Sequence, residues 1–161
     1  MFKGIVRELK KQDVGEVESI LGLYWSGNLK ERFIKRLRDF ADQTPESIEQ
    51  RYRYLVAEES ENVRGVVVFR NAPDSMKQYT TAMNPVELYI IAVRNKGQGV
   101  GSVLRTRGIE EMKRMGYTEA VLYSAENHRD SWNFHDNSDF RRAGQAVAPN
   151  GESGLIWRMS L

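Results

Sequence analysis

The chain has 161 residues, 40% of them hydrophobic and 29% charged, with a formal net charge of +2; that is enough for a single domain over 1–161 with a buried core. Its 24 basic and 22 acidic side chains are interleaved, as in Glu31-Arg-Phe-Ile-Lys-Arg-Leu-Arg38-Asp39, the pattern of a solvated helix face rather than a nucleic-acid groove. There is no cysteine, which excludes disulfides, thiolate metal sites and cysteine nucleophiles; no apolar run approaches the roughly 18 residues of a membrane span, no signal peptide follows Met1, and the cytoplasm is the expected compartment.

In chain order, residues 5–9 read as a first strand. Asp13 then opens an amphipathic segment in which Val14, Val17, Ile20, Leu21 and Tyr24 recur at helical spacing. A second helical pattern runs from Leu29 to about Phe40 with Phe33, Ile34 and Leu37 on one face. Thr44-Pro-Glu-Ser47 is suited to cap a short helix over 48–52. Residues 54–58 and 63–70 read as a hairpin around Ser60-Glu-Asn62. The polar stretch 71–84 carries no strong pattern and is expected to be a loop.

Residues 86–93 form a run of β-branched and large apolar residues that breaks into Gly97, Gly99 and Gly101, and a helical pattern follows at once. Strand, glycine turn and helix together make an anion-binding arrangement: missing Cβ atoms let backbone N–H groups approach a ligand, and the helix start adds unpaired donors. A phosphate or pyrophosphate is the natural guest. After Gly101 come Ser102 and Val103, not the Lys and Ser/Thr of a P-loop, and a dinucleotide fingerprint lacks its third Gly or Ala at 102. Residues 119–124 read as a strand parallel to 86–93. A helical segment over 131–137 follows, then strands over 140–144 and 155–159 joined by the turn-rich 149–154. The order predicts a mixed α/β layer with one parallel crossover.

The span Lys96-Gly-Gln-Gly-Val-Gly101-Ser-Val-Leu104 resembles the acyl-coenzyme A loop of the GNAT N-acetyltransferases, Gln/Arg-x-x-Gly-x-Gly/Ala. Gly116 falls where that family ends its helix. Arg94-Asn-Lys-Gly97-Gln-Gly99 matches the same letters, but the frame starting at Lys96 aligns better with the helix downstream. The resemblance implies an α/β (α+β) fold with a mixed, mostly antiparallel twisted sheet, one parallel βαβ crossover and helices on both faces. It also implies acetyl-CoA as co-substrate, held by Ile91, Val93, Lys96, Gly97, Gln98, Gly99, Val100, Gly101 and Ser102. Arg94, Lys96, Arg105 and Arg107 surround this loop as candidate partners for the coenzyme's phosphates, plain surface charge being the alternative for some of them.

Further along, Asn127, Ser131, Phe134 and Phe140 resemble the second GNAT signature, which implies that Asn127 and Phe134 contact the pantetheine arm. His135 stands where the family has the Tyr that protonates the leaving thiolate. An imidazolium can donate that proton near neutral pH; an ordinary helix histidine is the alternative. Asp139 replaces a Gly and tolerates left-handed φ better than most residues. Glu87, six residues before Val93, matches the general base of several family members, since an ammonium must lose a proton before it attacks a thioester; an ion-paired strand carboxylate is the alternative. His128, Asp130, His135, Asp136 and Asp139 match no zinc or calcium spacing, and no metal is expected.

Tyr24 and Trp25 lie where the family lines its acceptor pocket, although a helix-end Trp also serves as core. The expected acceptor is a small-molecule or protein amine, with no nucleic-acid or membrane partner and a homodimer as the candidate assembly. The competing class is a non-catalytic acyl-CoA-binding module of the same fold.

Overall fold

A computed structural model describes all 161 residues. Seven strands form one sheet in the order β1-β2-β3-β4-β5-β7-β6: β1 is Ile5–Glu8, β2 Arg53–Glu59, β3 Asn62–Asn71, β4 Val86–Val93, β5 Glu119–Ala125, β6 Arg141–Val147 and β7 Ser153–Ser160. The helices are α1 (Val14–Leu21), α2 (Gly27–Ala41), α3 (Pro45–Glu49), α4 (Val100–Arg114) and α5 (Trp132–Asp136). The mixed, mostly antiparallel sheet with one parallel pair is the fold class expected from the sequence. No helix is long and apolar enough to cross a membrane.

The chain divides into two compact units, Met1–Arg70 with Ile90–Glu111, and Asn71–Tyr89 with Met112–Leu161. In the first, β1, β2 and β3 are antiparallel. The β2–β3 turn places Ser60 and Glu61 at φ 52° and 65°, the left-handed pair that matches the twist of a two-residue hairpin. The helical periodicity is realised as Val17, Ile20 and Leu21 on α1 and Leu37 on α2, all fully buried with Val56 and Val66. Thr44 caps α3 through its side chain, accepting from Ser47 N at 3.4 Å. The helix starts at Pro45 rather than Ile48 because proline's fixed φ suits the first helical position.

In the second unit, β4 and β5 pair in parallel at Val86–Ala120 and Glu87–Val121. The β5–β7 and β6–β7 ladders are antiparallel. The stretch expected to be plain loop holds a 3-10 turn over Asp74–Tyr79. Met76 packs there with Ala72, Val121 and Ile156, and Glu119 accepts the backbone N–H groups of Thr81 and Ala82 at 2.6 and 2.9 Å. A buried carboxylate 38 residues away in sequence thus supplies the order that local residues lack.

The start of α1 hangs on one cluster. Arg7 forks onto Asp13 at 2.7 and 2.9 Å and reaches Glu58 at 2.7 Å, while Asp13 also accepts the N–H of Lys10. Asp13 is buried, and the Arg7 hydrogen bond holds its carboxyl below the usual range against the opposing effect of burial. Asp13→Ala should cost about 2 kcal/mol by urea denaturation, since Arg7 keeps Glu58 as a partner. A depressed folded pKa means that the contribution is complete above the unfolded value near pH ~3.9 and is lost as pH falls through the folded one. The wild type should therefore lose more stability than Asp13→Ala on acidification from about pH 5 to about pH 2.

Candidate functional site

Alternation along β4 sorts its residues into two sets. Val86, Leu88, Ile90 and Ala92 are buried, and Tyr89, Ile91 and Val93 are half-buried. Period 2 puts Glu87 on the same face as Tyr89, Ile91 and Val93. Glu87 is itself only 5% exposed. Tyr89 belongs to this row but was not singled out from the sequence, although strand alternation alone includes it.

After Val93 six residues convert strand to helix. Gly97 and Gly99 take φ of 83° and 81°, the region where a Cβ is strained. A Cβ on Gly97 would meet open space, and one on Gly99 would lie 3.1 Å from Met1 Sδ. Helix α4 begins at Val100, and Val103 N donates to Gly99 O at 3.2 Å. Gly101 is therefore helical and has no left-handed φ. Two of the three glycines shape the turn, while Gly101 and Ser102 offer first-turn N–H groups.

Several backbone anchors hold this segment. Arg94 N donates to Arg64 O at 2.8 Å and Phe2 N to Gln98 O at 2.9 Å. Tyr24 OH donates to Val93 O at 2.6 Å, and Lys96 Nζ lies 5.5 Å from the centroid of the same Tyr24 ring. Trp25 packs edge-on against Phe33 at 4.9 Å and lies 5.6 Å from Tyr24. Arg107 pairs with Glu110 at 3.1 Å on the exposed side of α4.

Helix α4 sits low on β3 because β3 carries a glycine where they cross. A Cβ on Gly65 would be 2.9 Å from Ala92 O, 2.9 Å from Leu104 Cδ1 and 3.1 Å from Val100 Cγ1. One helical stretch further on, Gly108 faces Val67 at an ordinary contact distance. These glycines set the height of the first helical turn above the sheet.

In the second unit, Asn127 lies exposed in a 3-10 turn over Glu126–Ser131, its Nδ2 3.3 Å from Glu152 Oε1. The Ser131 hydroxyl is 2.9 Å from that of Ser124 and donates to His128 O. On α5, His135 is buried, its ring 5.1 Å from Trp157 and 5.6 Å from Phe134. Asp136 accepts from Arg142 Nε and Nη2 at 3.0 and 2.7 Å and from Trp157 Nε1 at 2.9 Å. Chiefly the Arg142 hydrogen bonds, then that from Trp157, lower its pKa. Asp139 does not adopt the left-handed φ that its place in the motif suggests. The turn is closed by Ser138, whose hydroxyl donates to His135 O and accepts Phe140 N, so no glycine is required. Of the acidic and imidazole groups noted in this stretch, none belongs to a cluster of three that could hold a metal ion.

A family model described as the acetyltransferase (GNAT) family matches residues 17–140. No curated protein matches the chain. Among solved structures, a protein from Desulfovibrio desulfuricans described as an acetyltransferase of the GNAT family superposes with a TM-score of 0.80 at 15% identity, with 98% of this chain and 99% of that chain covered. The PaiA N-acetyltransferase from Thermoplasma acidophilum, in complex with coenzyme A, gives 0.70 at 13% identity over 99% and 100%. An N-acetyltransferase from Staphylococcus aureus Mu50 gives 0.73 at 19% identity over 98% of both chains.

The seating of α4 is open to a direct check. Gly65→Ala places a methyl against the Ala92 carbonyl, which as backbone cannot rotate away. A loss of about 1–3 kcal/mol is expected from overpacking at this crossing, read as a fall in the urea midpoint at unchanged slope.

Proposed function

The chain belongs to the GNAT family of acetyltransferases, and on that premise we propose that it binds acetyl-CoA on residues 96–102 and transfers the acetyl group directly to a primary amine. The observation that carries this is the turn itself: two glycines in left-handed φ, open space where Gly97 would carry a Cβ, and a helix starting at Val100. That arrangement suits the close approach of an anion to backbone donors. The helix start also favours the frame in which Lys96 opens the motif. The coenzyme A held by the similar Thermoplasma acidophilum PaiA fits the same reading.

In this proposal Ile91 and Val93 face the pantetheine from β4, with the N–H near Val93 polarising the thioester carbonyl. Lys96, Gly97, Gln98, Gly99, Val100, Gly101 and Ser102 cradle the pyrophosphate. Asn127 and Phe134 take the pantetheine contacts implied by the second motif, for which Asn127 must exchange its Glu152 partner. Glu87 removes a proton from the acceptor ammonium. The amine nitrogen then bonds to the acetyl carbon, the C–S bond breaks, the nitrogen gives up its second proton to solvent, and the departing thiolate takes a proton from His135. Trp25 belongs to the acceptor side, on the connection that also carries Tyr24. The acceptor is an amine of a small molecule or a protein, and residues 1–161 act as one cytoplasmic acyltransferase domain, alone or as a homodimer.

The binding half is tested by replacement in the turn. Gly99→Val forces a β-branched residue into left-handed φ, whereas Gly101→Val adds bulk to the helix start without that strain. Both should abolish acetyl-CoA binding by calorimetry while far-UV circular dichroism is kept. A folded Gly101→Val protein with wild-type affinity would sink the site.

The chemical half is tested with a panel of amines. Glu87→Gln should lower turnover at neutral pH by roughly 100-fold or more, keep coenzyme affinity and remove the acidic limb of the pH profile. His135→Tyr should keep substantial turnover and move the alkaline limb upward, since a phenol stays protonated to about pH 10. His135→Phe should lose turnover and keep binding. Wild-type profiles in all three would remove Glu87 and His135 from the chemistry, and no turnover of acetyl-CoA with any amine would return the chain to the non-catalytic acyl-CoA-binding module.

A further inference from the structure

The peptide that links Val93 to Arg94 is gripped on both edges. Its carbonyl accepts from Tyr24 OH at 2.6 Å, and its N–H donates to Arg64 O at 2.8 Å. A peptide is planar, so bonds to both groups fix its rotation about the strand axis. The next anchor is the Gln98 carbonyl, which accepts Phe2 N at 2.9 Å, after which Gly99 O opens α4. Residues 95–97 are therefore slung between two held points. Of the holds at 93–94 and at 98, that from Tyr24 is made by a side chain, so a substitution can remove it without touching the backbone. The same ring carries Lys96 Nζ at 5.5 Å from its centroid, a cation–π contact on the residue that opens the motif.

From these contacts we infer that Tyr24 is a positioning residue for the donor loop. It sets the exit angle of β4 through its hydroxyl and the placement of Lys96 through its ring, so its effect falls on acetyl-CoA affinity rather than on acceptor recognition. The inference rests on the proposed donor site at 96–102. It also gives the connection between α1 and α2 a second task, because the segment expected to face the acceptor holds the end of the donor strand. The bond spans 69 residues and ties a helix-end aromatic to the last carbonyl before the turn. Without the hydroxyl that carbonyl must seek water, and the turn loses one of its two entry constraints.

The test compares Tyr24→Phe, which removes the hydroxyl and keeps the ring, with Tyr24→Leu, which removes both. Asp13→Ala serves as a destabilised control whose hydrogen bonds, to Arg7 and Lys10, involve neither Tyr24 nor residues 93–99, and all measurements are made well below each protein's melting temperature. Calorimetry with acetyl-CoA should show a dissociation constant raised roughly tenfold in Tyr24→Phe, the scale of one lost hydrogen bond to a constrained group, with a larger rise in Tyr24→Leu and none in the control. With whichever panel amine supports turnover, the KM for acetyl-CoA should rise while kcat stays within about twofold, as loss of uniform binding requires. Hydrogen exchange should quicken at amides 95–99 and stay unchanged in the β2–β3 hairpin. Wild-type acetyl-CoA affinity in Tyr24→Phe overturns the inference, as does a rise confined to the amine KM, which would make Tyr24 an acceptor-side residue. The donor site fails separately: if Gly101→Val binds acetyl-CoA normally the site itself is wrong, whereas its loss of binding beside a normal Tyr24→Phe removes only the role of Tyr24.

Discussion

Six residues separate the end of β4 from the start of α4, and the backbone must reverse its hydrogen-bonding geometry within them. A strand directs its N–H groups sideways to neighbours, while a helix directs its first ones along its axis into open space. Gly97 and Gly99 make the change possible by entering left-handed φ, and Gly65 lets the new helix lie directly on the sheet. The donor-binding proposal depends on this transition. A turn that was merely flexible would have to be ordered by the ligand at the ligand's expense. Here Tyr24, the Arg64 carbonyl and the backbone of Phe2 order it beforehand.

The sequence makes some of this legible and hides the rest, and the division follows the range of the interaction. The apolar run of β4, the glycine spacing and the helix after it are local, so 86–101 could be read in place. The Thr44-Pro45 start of α3 is local too, and only its span was displaced, because proline occupies the first turn instead of preceding it. The hairpin turn was visible from two strand patterns, yet Ser60 and Glu61 carry the left-handed φ without the Asn-Gly that usually announces it. Gly65 was silent for a different reason. A glycine inside a strand suggests a bulge or a weak point, and its meaning appears only once Ala92, Val100 and Leu104 are seen against it. Glu119 and Tyr24 act across 38 and 69 residues, so no window along the chain contains both partners.

The second motif shows how one substitution is absorbed. Where the family pattern has Gly before Phe140, this chain has Asp139 with no left-handed φ, and Ser138 closes the turn with its side chain. His135 remains on α5, packed against Trp157. Trp157 in turn directs its indole N–H to Asp136, which Arg142 holds from the other side. The carboxylate beside the histidine is thus already engaged by two donors, and its pKa is lowered chiefly by Arg142. Its hydrogen bonds to Arg142 and Trp157 also fix where α5 presents His135, because Asp136 is the next residue along the same helix.

The contacts of Tyr24 narrow what the α1–α2 connection can recognise. Its hydroxyl is engaged by Val93 and its ring by Lys96, and the neighbouring Trp25 is packed edge-on to Phe33. None of the residues exposed on this connection, Gly22, Leu23 and Ser26, is charged, and Leu23, 57% exposed, suits the carbon part of an acceptor. In the proposed reaction, recognition of the ammonium then falls to the carboxylate that deprotonates it. That carboxylate is Glu87, 5% exposed on β4. The amide formed by transfer is neutral and offers that carboxylate no charge to hold. One group then draws the acceptor in, removes its proton and has little grip on the product, so the chemistry that makes the amide also favours its release.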